Sequence, residues 1–221
     1  MKLKILLAIL MLCFLNRSFG QKVYDVEPDV RDKSVFVNNT ALEMIEKGDY
    51  ELAAKILERV VETDPSFHPA YLNFYRSGGQ LPEWQAKVEK VLRLGLAVFE
   101  EDDEMAYYLG NLLQRQQKYD KAIEAYSDAI RYSKINGEDF PLVWAYYFNR
   151  GNCYLKINKH KEAIPDYNDA LRLSPENADV LTNRGFCLYK TGKNPEACKD
   201  WQRALKLGNK VTEKYLQQYC K

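Results

Sequence analysis

The chain has 221 residues, enough for one sizeable core or a stacked array, and its 32 Lys plus Arg are balanced by 31 Asp plus Glu. Such evenly mixed charge, with few Pro and Gly and no Ser-rich or Gln-rich linker, suits an ordered soluble domain and argues against disorder. With no long block of one sign, nothing draws the chain to nucleic acid.

The first twenty residues differ from the rest. Lys2 and Lys4 are followed by an apolar run from Ile5 to Leu15, and Ser18-Phe19-Gly20 sets small residues where a signal peptidase reads. Residues 1–20 are therefore predicted to be a secretory signal peptide, cleaved before Gln21. The run is short for a membrane span, and an uncleaved anchor or a buried helix is the competing reading. Leu12 is too bulky for the usual lipidation site at Cys13. Without Lys2, Lys4 and Arg17, 29 basic residues face 31 acidic ones. The cleaved chain has no stable transmembrane segment, and its near-neutral surface points to protein or peptide partners. Residues 21–33 show no convincing period and are expected to be loose.

From residue 34 the chain reads as helical pairs, clearest from residue 103 onwards. YLGNLLQR at 108–115 precedes KYDKAIEAYSDAI at 118–130; NRGNCYLK spans 149–156 and NRGFCLYK 183–190. Gly110, Ala122, Tyr126 and Ala129 keep the spacing of Gly151, Ala163, Tyr167 and Ala170, and of Gly185, Ala197, Trp201 and Ala204. The last two sets are offset by 34 residues. Each unit is predicted to be two short antiparallel helices. The first-helix glycine is expected to face the second-helix alanine, and the aromatic and later alanine share that alanine's face. A turn such as Lys-Thr-Gly-Lys at 190–193 lets Gly192 take the left-handed conformation, and Pro175 helps to stop a helix.

This recurrence resembles the tetratricopeptide repeat family. The resemblance implies an all-α fold, a right-handed superhelical solenoid of stacked antiparallel helix hairpins over residues 34–221. The units are 34–67, 68–102, 103–136, 144–177 and 178–211. In 34–67, Ala41 takes the small slot, Gly48-Asp49-Tyr50 the turn, Ala53, Leu57 and Val60 the second-helix stripe, and Pro65 closes the unit. In 68–102 the signature has decayed, with Tyr75 in the small slot and Lys87 in the alanine slot. That stretch is a degenerate repeat or a family-neutral hairpin, turning at SGGQLP. Gly110 to Gly151 spans 41 residues, and the surplus in INGEDFP at 135–141 predicts a longer loop, an insertion at about 137–143. Residues 211–220 read as a helix capping the last repeat.

Four cysteines lie beyond the leader. Cys153, Cys187 and Cys198 fall in helical slots for small apolar residues, which favours buried, reduced thiols; an exported protein also has access to disulfides. Whether Cys187 meets Cys198, on successive helices of one unit, is left open. No CxxC occurs. His68 starts a helix, and His160 takes the turn slot of Tyr50 and Tyr119, expected to pack on its own helical pair. No Walker loop, dinucleotide fingerprint, HExxH or nucleophile elbow is present, and the histidines lack ligand spacing. No enzyme activity, metal or cofactor is expected.

The resemblance places the site on the inner face of the superhelix, lined by the first helix of each unit, where relatives often hold an extended peptide or a partner's helix. The matching residues are Tyr107, Asn111, Gln114 and Arg115, then Phe148, Asn149, Asn152, Leu155 and Lys156, then Thr182, Asn183, Phe186, Tyr189 and Lys190. Tyr107, Asn111, Arg115, Phe148, Asn152, Lys156, Phe186 and Tyr189 are the principal candidates. Aromatics can anchor a partner and asparagines can pair with its backbone. A subtype that grips a C-terminal carboxylate has lysine where this chain has Tyr107, Phe148 and Thr182, a departure that argues against that clamp.

The expected function is an exported binding module that recruits or scaffolds a partner in the groove, periplasmic if bacterial and otherwise secreted or in the secretory-pathway lumen. The competing readings are an envelope-assembly component working through edge and cap surfaces, and a small enzyme or carrier with converging polar groups.

Overall fold

The computed structural model describes residues 26–138 and 140–220; the leader reading of residues 1–20 lies outside them. The described residues form eleven α-helices and no strand. They pair as α1 (Pro28–Lys47) with α2 (Tyr50–Thr63), α3 (His68–Gly78) with α4 (Gln85–Val98), α5 (Asp103–Arg115) with α6 (Tyr119–Asn136), α7 (Val143–Lys156) with α8 (His160–Leu173), and α9 (Ala178–Lys190) with α10 (Asn194–Lys206); α11 (Thr212–Tyr219) follows. Each helix packs on the next in sequence. The first helices also touch along the array, α1 on α3, α3 on α5, α5 on α7 and α7 on α9. That closer approach makes the first helices its inner line.

The second helices carry stripes at helical spacing. Ala53, Ala54, Leu57, Val60 and Val61 on α2 are buried, as are Ala163, Asp166, Tyr167, Ala170 and Leu171 on α8. Such a stripe cannot be covered within one hairpin, so stacking carries the core from repeat to repeat. The hairpin turns share one device. Gly48, Gln117, Asn158 and Gly192, each seven residues after the small slot, have φ of +85°, +59°, +59° and +82°.

The small slots correct the expected pairing. A Cβ on Gly110 would lie 2.5 Å from the ring of Tyr126, one on Gly151 2.9 Å from Tyr167, and one on Gly185 2.6 Å from Trp201. The glycines make room for the aromatic rings rather than for the alanines, because a flat ring fills the space between helices only where the opposing side chain is missing.

Residues 68–102 form a hairpin in a different register. Pro82 stands seven residues after Tyr75, where the other units place their left-handed residue. Its ring locks φ near −65°, and the chain instead makes a 3-10 turn at Pro82–Trp84. Helix α4 consequently runs one residue late. Val88 is buried in the alanine slot, whereas Lys87 is exposed and paired with Glu58. This corrects the assignment of Lys87.

Three further expectations change. Part of the segment 21–33 is ordered, because α1 starts at Pro28, and Arg31 holds the fully buried Asp64 through Nε to Oδ2 at 2.7 Å and Nη2 to Oδ1 at 3.0 Å. The surplus at 135–141 is partly helical. Helix α6 has 18 residues against 14 in α8, including Ile135 and Asn136. Beyond it Glu138 accepts hydrogen bonds from Tyr147 and Arg172, both at 2.9 Å. Finally, Cys198 is bonded to Cys220. Helix α11 packs on α10 and brings Cys220 to the Cys198 slot. Cys153 and Cys187 are buried and free, and burial pushes both thiols up to about 12. Helix α11 lays Tyr215 and Tyr219 over Trp201, with ring centroids 5.0 and 5.9 Å away.

Candidate interaction groove

The inner line of first helices carries two successive open clefts. One, of about 540 Å³, lies between α3, α5 and α7 and is lined by Tyr75, Asn111, Gln114, Arg115, Asn149 and Lys156 among others. The other, of about 490 Å³, includes Leu155, Lys156, His160, Asn183, Phe186 and Lys190, and Tyr215 of α11 reaches it. Lys156 belongs to both.

A repeated network builds the floor. Asn111 Oδ1 accepts from Tyr126 Oη at 2.8 Å and from Asn149 Nδ2 at 3.0 Å. Asn152 Oδ1 accepts from Tyr167 Oη at 2.9 Å and from Asn183 Nδ2 at 2.8 Å. Each buried phenol is thus satisfied within its own repeat, and each acceptor asparagine is also tied to the next repeat. Burial pushes the Tyr126 and Tyr167 phenols up, so they remain protonated donors. The Asn111 and Asn152 carbonyls are occupied, and Asn111 and Asn149 line the first cleft and Asn183 the second, where a primary amide offers N–H donors.

The predicted residues divide by position. Asn111, Arg115, Lys156 and Phe186 line the clefts. Tyr107 and Phe148 are half-buried and line neither cleft, Tyr107 packing on Tyr146 at 4.7 Å and Phe148 on Tyr167 at 6.1 Å. Asn152 serves in the floor network. Tyr189 belongs to the cap, its ring 4.2 Å from Tyr219 and 6.1 Å from Trp201. Thr182 also lines the second cleft but is only 7% exposed, its hydroxyl donating to the carbonyl of Ala178 at 2.7 Å. Helix α11 explains the change at Tyr189: it covers the end of the last repeat and draws the α9 aromatics toward itself.

Three features were missed in the sequence. Tyr75, which looked like a defect in the small slot, stacks on Tyr108 at 4.5 Å and walls the first cleft. Arg150 grips Asp166 through Nε and Nη2, at 2.9 and 2.6 Å, and reaches Ser127 of the preceding repeat through Nη1. Arg184 repeats this on Asp200, at 2.7 Å twice, and on Asn168. The recurring NRG triplets, with an Asp sixteen residues after each Arg, are the visible trace of this clamp. Each partly buried fork ties the two helices of one hairpin, and the third contact, to Ser127 or Asn168, ties that hairpin to the preceding one.

The histidines do different work. His160 packs against Phe186 and Cys187 of the next unit, contacts beyond its own helical pair. His68 pairs with Asp102, which caps α5 by accepting from the Met105 amide at 2.8 Å, and stands edge-on to Phe99. Burial lowers the His68 pKa, but the Asp102 carboxylate outweighs it and the net shift is upward. This pair ties the starts of α3 and α5 together and lies outside both clefts. Among the described residues no group of three or more His, Cys, Asp or Glu could hold a metal ion. No described helix is long and apolar enough to cross a membrane.

Residues 101–176 and 178–210 match the tetratricopeptide repeat. The first two hairpins lie outside these matches. No curated protein matches the sequence. Among solved structures, MamA is similar at 20% identity and a TM-score of 0.67, over 78% of this chain and 96% of its own. A MamA structure labelled AMB-1 has 22% identity and a TM-score of 0.64, over 84% and 98%. Pseudomonas aeruginosa PilF has 19% identity and a TM-score of 0.66, over 82% and 79%. At these identities the likeness is one of fold. The repeat matches, the hairpin stack and the recurring glycine–aromatic pairs agree: this chain is a member of the tetratricopeptide repeat family, a right-handed superhelical solenoid.

Proposed function

We propose that this protein is an exported, non-catalytic interaction module that holds a peptide or extended segment of a partner protein in the groove formed by α5, α7 and α9. The tetratricopeptide repeat fold is a protein–protein interaction module. The observation that carries the groove reading is the run of two clefts whose amides, aromatic walls and cations recur from repeat to repeat. Export is supported by the leader pattern of residues 1–20 and by the Cys198–Cys220 disulfide, a bond that persists in oxidising compartments. The location is periplasmic in a bacterial cell and otherwise secreted or in the secretory-pathway lumen.

The test is capture of partners from the source cell's envelope fraction on the immobilised chain from residue 21. Wild type is compared with a Tyr107→Ala, Phe148→Ala, Phe186→Ala variant whose helical content is checked, and with Asn111→Ala, which removes a cleft amide and no large side chain. A partner lost by the folded variants supports the groove. One retained by both rejects it and favours an assembly component using edge and cap surfaces. That second reading draws on Phe36, 72% exposed on α1, the first described helix, and on a cleft of about 480 Å³ between α1 and α2.

A further inference from the structure

The groove carries one sign of charge over part of its length. Arg115, Lys156 and Lys190 are equivalent residues, each five after the small slot and each the last residue of its first helix. All three are exposed and line the two clefts. None forms a salt bridge among the described residues, although Arg131, Lys87 and Arg93 elsewhere do. Arg115 instead lies 5.5 Å from the centre of the Tyr75 ring and Lys190 5.3 Å from that of Phe186. The described residues lining these two clefts include no carboxylate. In a chain with 31 acidic residues, that is a local segregation of charge. The preceding units break the row, with neutral Gln80 and then acidic Glu46 at the equivalent positions.

We infer that the groove of α5, α7 and α9 selects an acidic, extended protein segment, read along its length by Arg115, Lys156 and Lys190. This rests on the groove reading above and adds the chemistry of the occupant. The cations are spaced by the repeat, so they match carboxylates distributed along a segment rather than one terminal carboxylate. Two of them sit against aromatic faces, a setting with less water than open surface, where a charge-assisted contact is stronger. The amide donors between them suit the backbone of a chain that is not itself helical.

The probe is a fluorescein-labelled decapeptide of alternating Glu and Ala, acetylated and amidated so that it has no terminal charge. Its Gln/Ala counterpart is the neutral control. Binding to the folded chain from residue 21 is followed by anisotropy at low and at physiological salt. The Glu peptide is expected to bind at least about tenfold more tightly than the Gln peptide at low salt, with the margin shrinking as salt screens it. A variant with Arg115→Gln, Lys156→Gln and Lys190→Gln is expected to lose about tenfold, each exposed contact contributing a modest factor. A variant with Lys121→Gln, Lys161→Gln and Lys199→Gln, which removes equal charge from the second helices, is expected to stay within about twofold. Equal losses in the two variants, or equal binding of the two peptides, overturn the inference. A captured partner that depends on Asn111 but not on the three cations overturns the acidic occupant and leaves the groove reading standing.

Discussion

In the last three hairpins a glycine on the first helix lies under a ring from the second, Gly110 under Tyr126, Gly151 under Tyr167 and Gly185 under Trp201. In the α3–α4 hairpin the large residues, Tyr71 and Phe74, are on the first helix and fully buried. The close approach falls on the second helix instead, where a Cβ on Gly95 would meet Tyr71 at 2.8 Å and the Met105 sulfur at 2.5 Å. Both arrangements interlock a ring with a gap, so what stacking requires is complementarity and not one residue order. The difference also has a consequence at the surface. With the ring carried elsewhere, the small slot of the α3–α4 hairpin is free to hold Tyr75, which turns to the groove and walls its first cleft.

Several variants break this comparison, beginning with the largest effect. Trp201 is fully buried beneath α11 and donates to the Thr182 carbonyl at 3.2 Å. Trp201→Ala is expected to cost about 4 kcal/mol, measured by urea unfolding. Trp84, the half-buried last residue of the replacement turn, packs on Phe74 at 6.1 Å with Lys87 4.3 Å from its ring, and its truncation to Ala should cost about 2 kcal/mol because its burial is only partial. Equal costs would mean that the two hairpins do not differ as described.

Next comes the cap. Cys198→Ser with Cys220→Ser removes the bond that closes the end of the array and is expected to cost about 3 kcal/mol. The loss should appear first as faster amide exchange in α10 and α11, with α1 to α4 unaffected. At the opposite end, Arg31→Ala leaves the buried Asp64 carboxylate without its guanidinium. About 2 kcal/mol is expected, below the usual range for a buried pair because Arg31 is itself partly exposed. Gly110→Ala should also cost about 2 kcal/mol, since the Tyr126 ring has to move.

The pH dependences separate the two regions by sign. The His68–Asp102 pair raises the histidine pKa, so its contribution is complete below the pKa of unfolded histidine and is lost as pH rises through the higher folded value. At Glu138, burial pushes the carboxyl up, but the Tyr147 and Arg172 hydrogen bonds hold it below the usual carboxylate range. Its contribution is present above the unfolded glutamate pKa and disappears as pH falls through the lower folded value. In Tm against pH, Asp102→Asn should therefore differ from wild type mainly on the acid side of neutrality. Glu138→Gln should differ from neutral pH downward and converge in acid. The smallest effect concerns the turns. Gln117 holds φ of +59° where two other units use glycine; Gln117→Gly should stabilise the chain by about 0.5 kcal/mol.

The fold was legible because Gly110, Gly151 and Gly185 recur with the same aromatic and alanine spacing. A hairpin that must bury its stripe on neighbours repeats its constraints in sequence. The α3–α4 register was not, because it follows from the proline lock at Pro82, a local backbone constraint that shifts the helix without altering its apolar composition. The groove was legible in part. The position of Asn111, Arg115 and Lys156 follows from helical phase, whereas the diversion of Tyr189 depends on where α11 lands. That landing is determined by Cys220 and by rings far away in sequence. Tyr75 was hidden because it reads as a broken motif, and its role requires knowing which ring replaced the missing glycine contact.

The most direct test of the groove reading is a two-dimensional NMR titration of the labelled chain with the partner segment recovered by capture, following side-chain amides. The prediction is that the Asn111, Asn149, Asn152 and Asn183 amide pairs shift together with the backbone at Arg115, Lys156 and Lys190. Shifts confined to α1, to residues 137–142 or to α11, with the asparagine pairs unmoved, would contradict it.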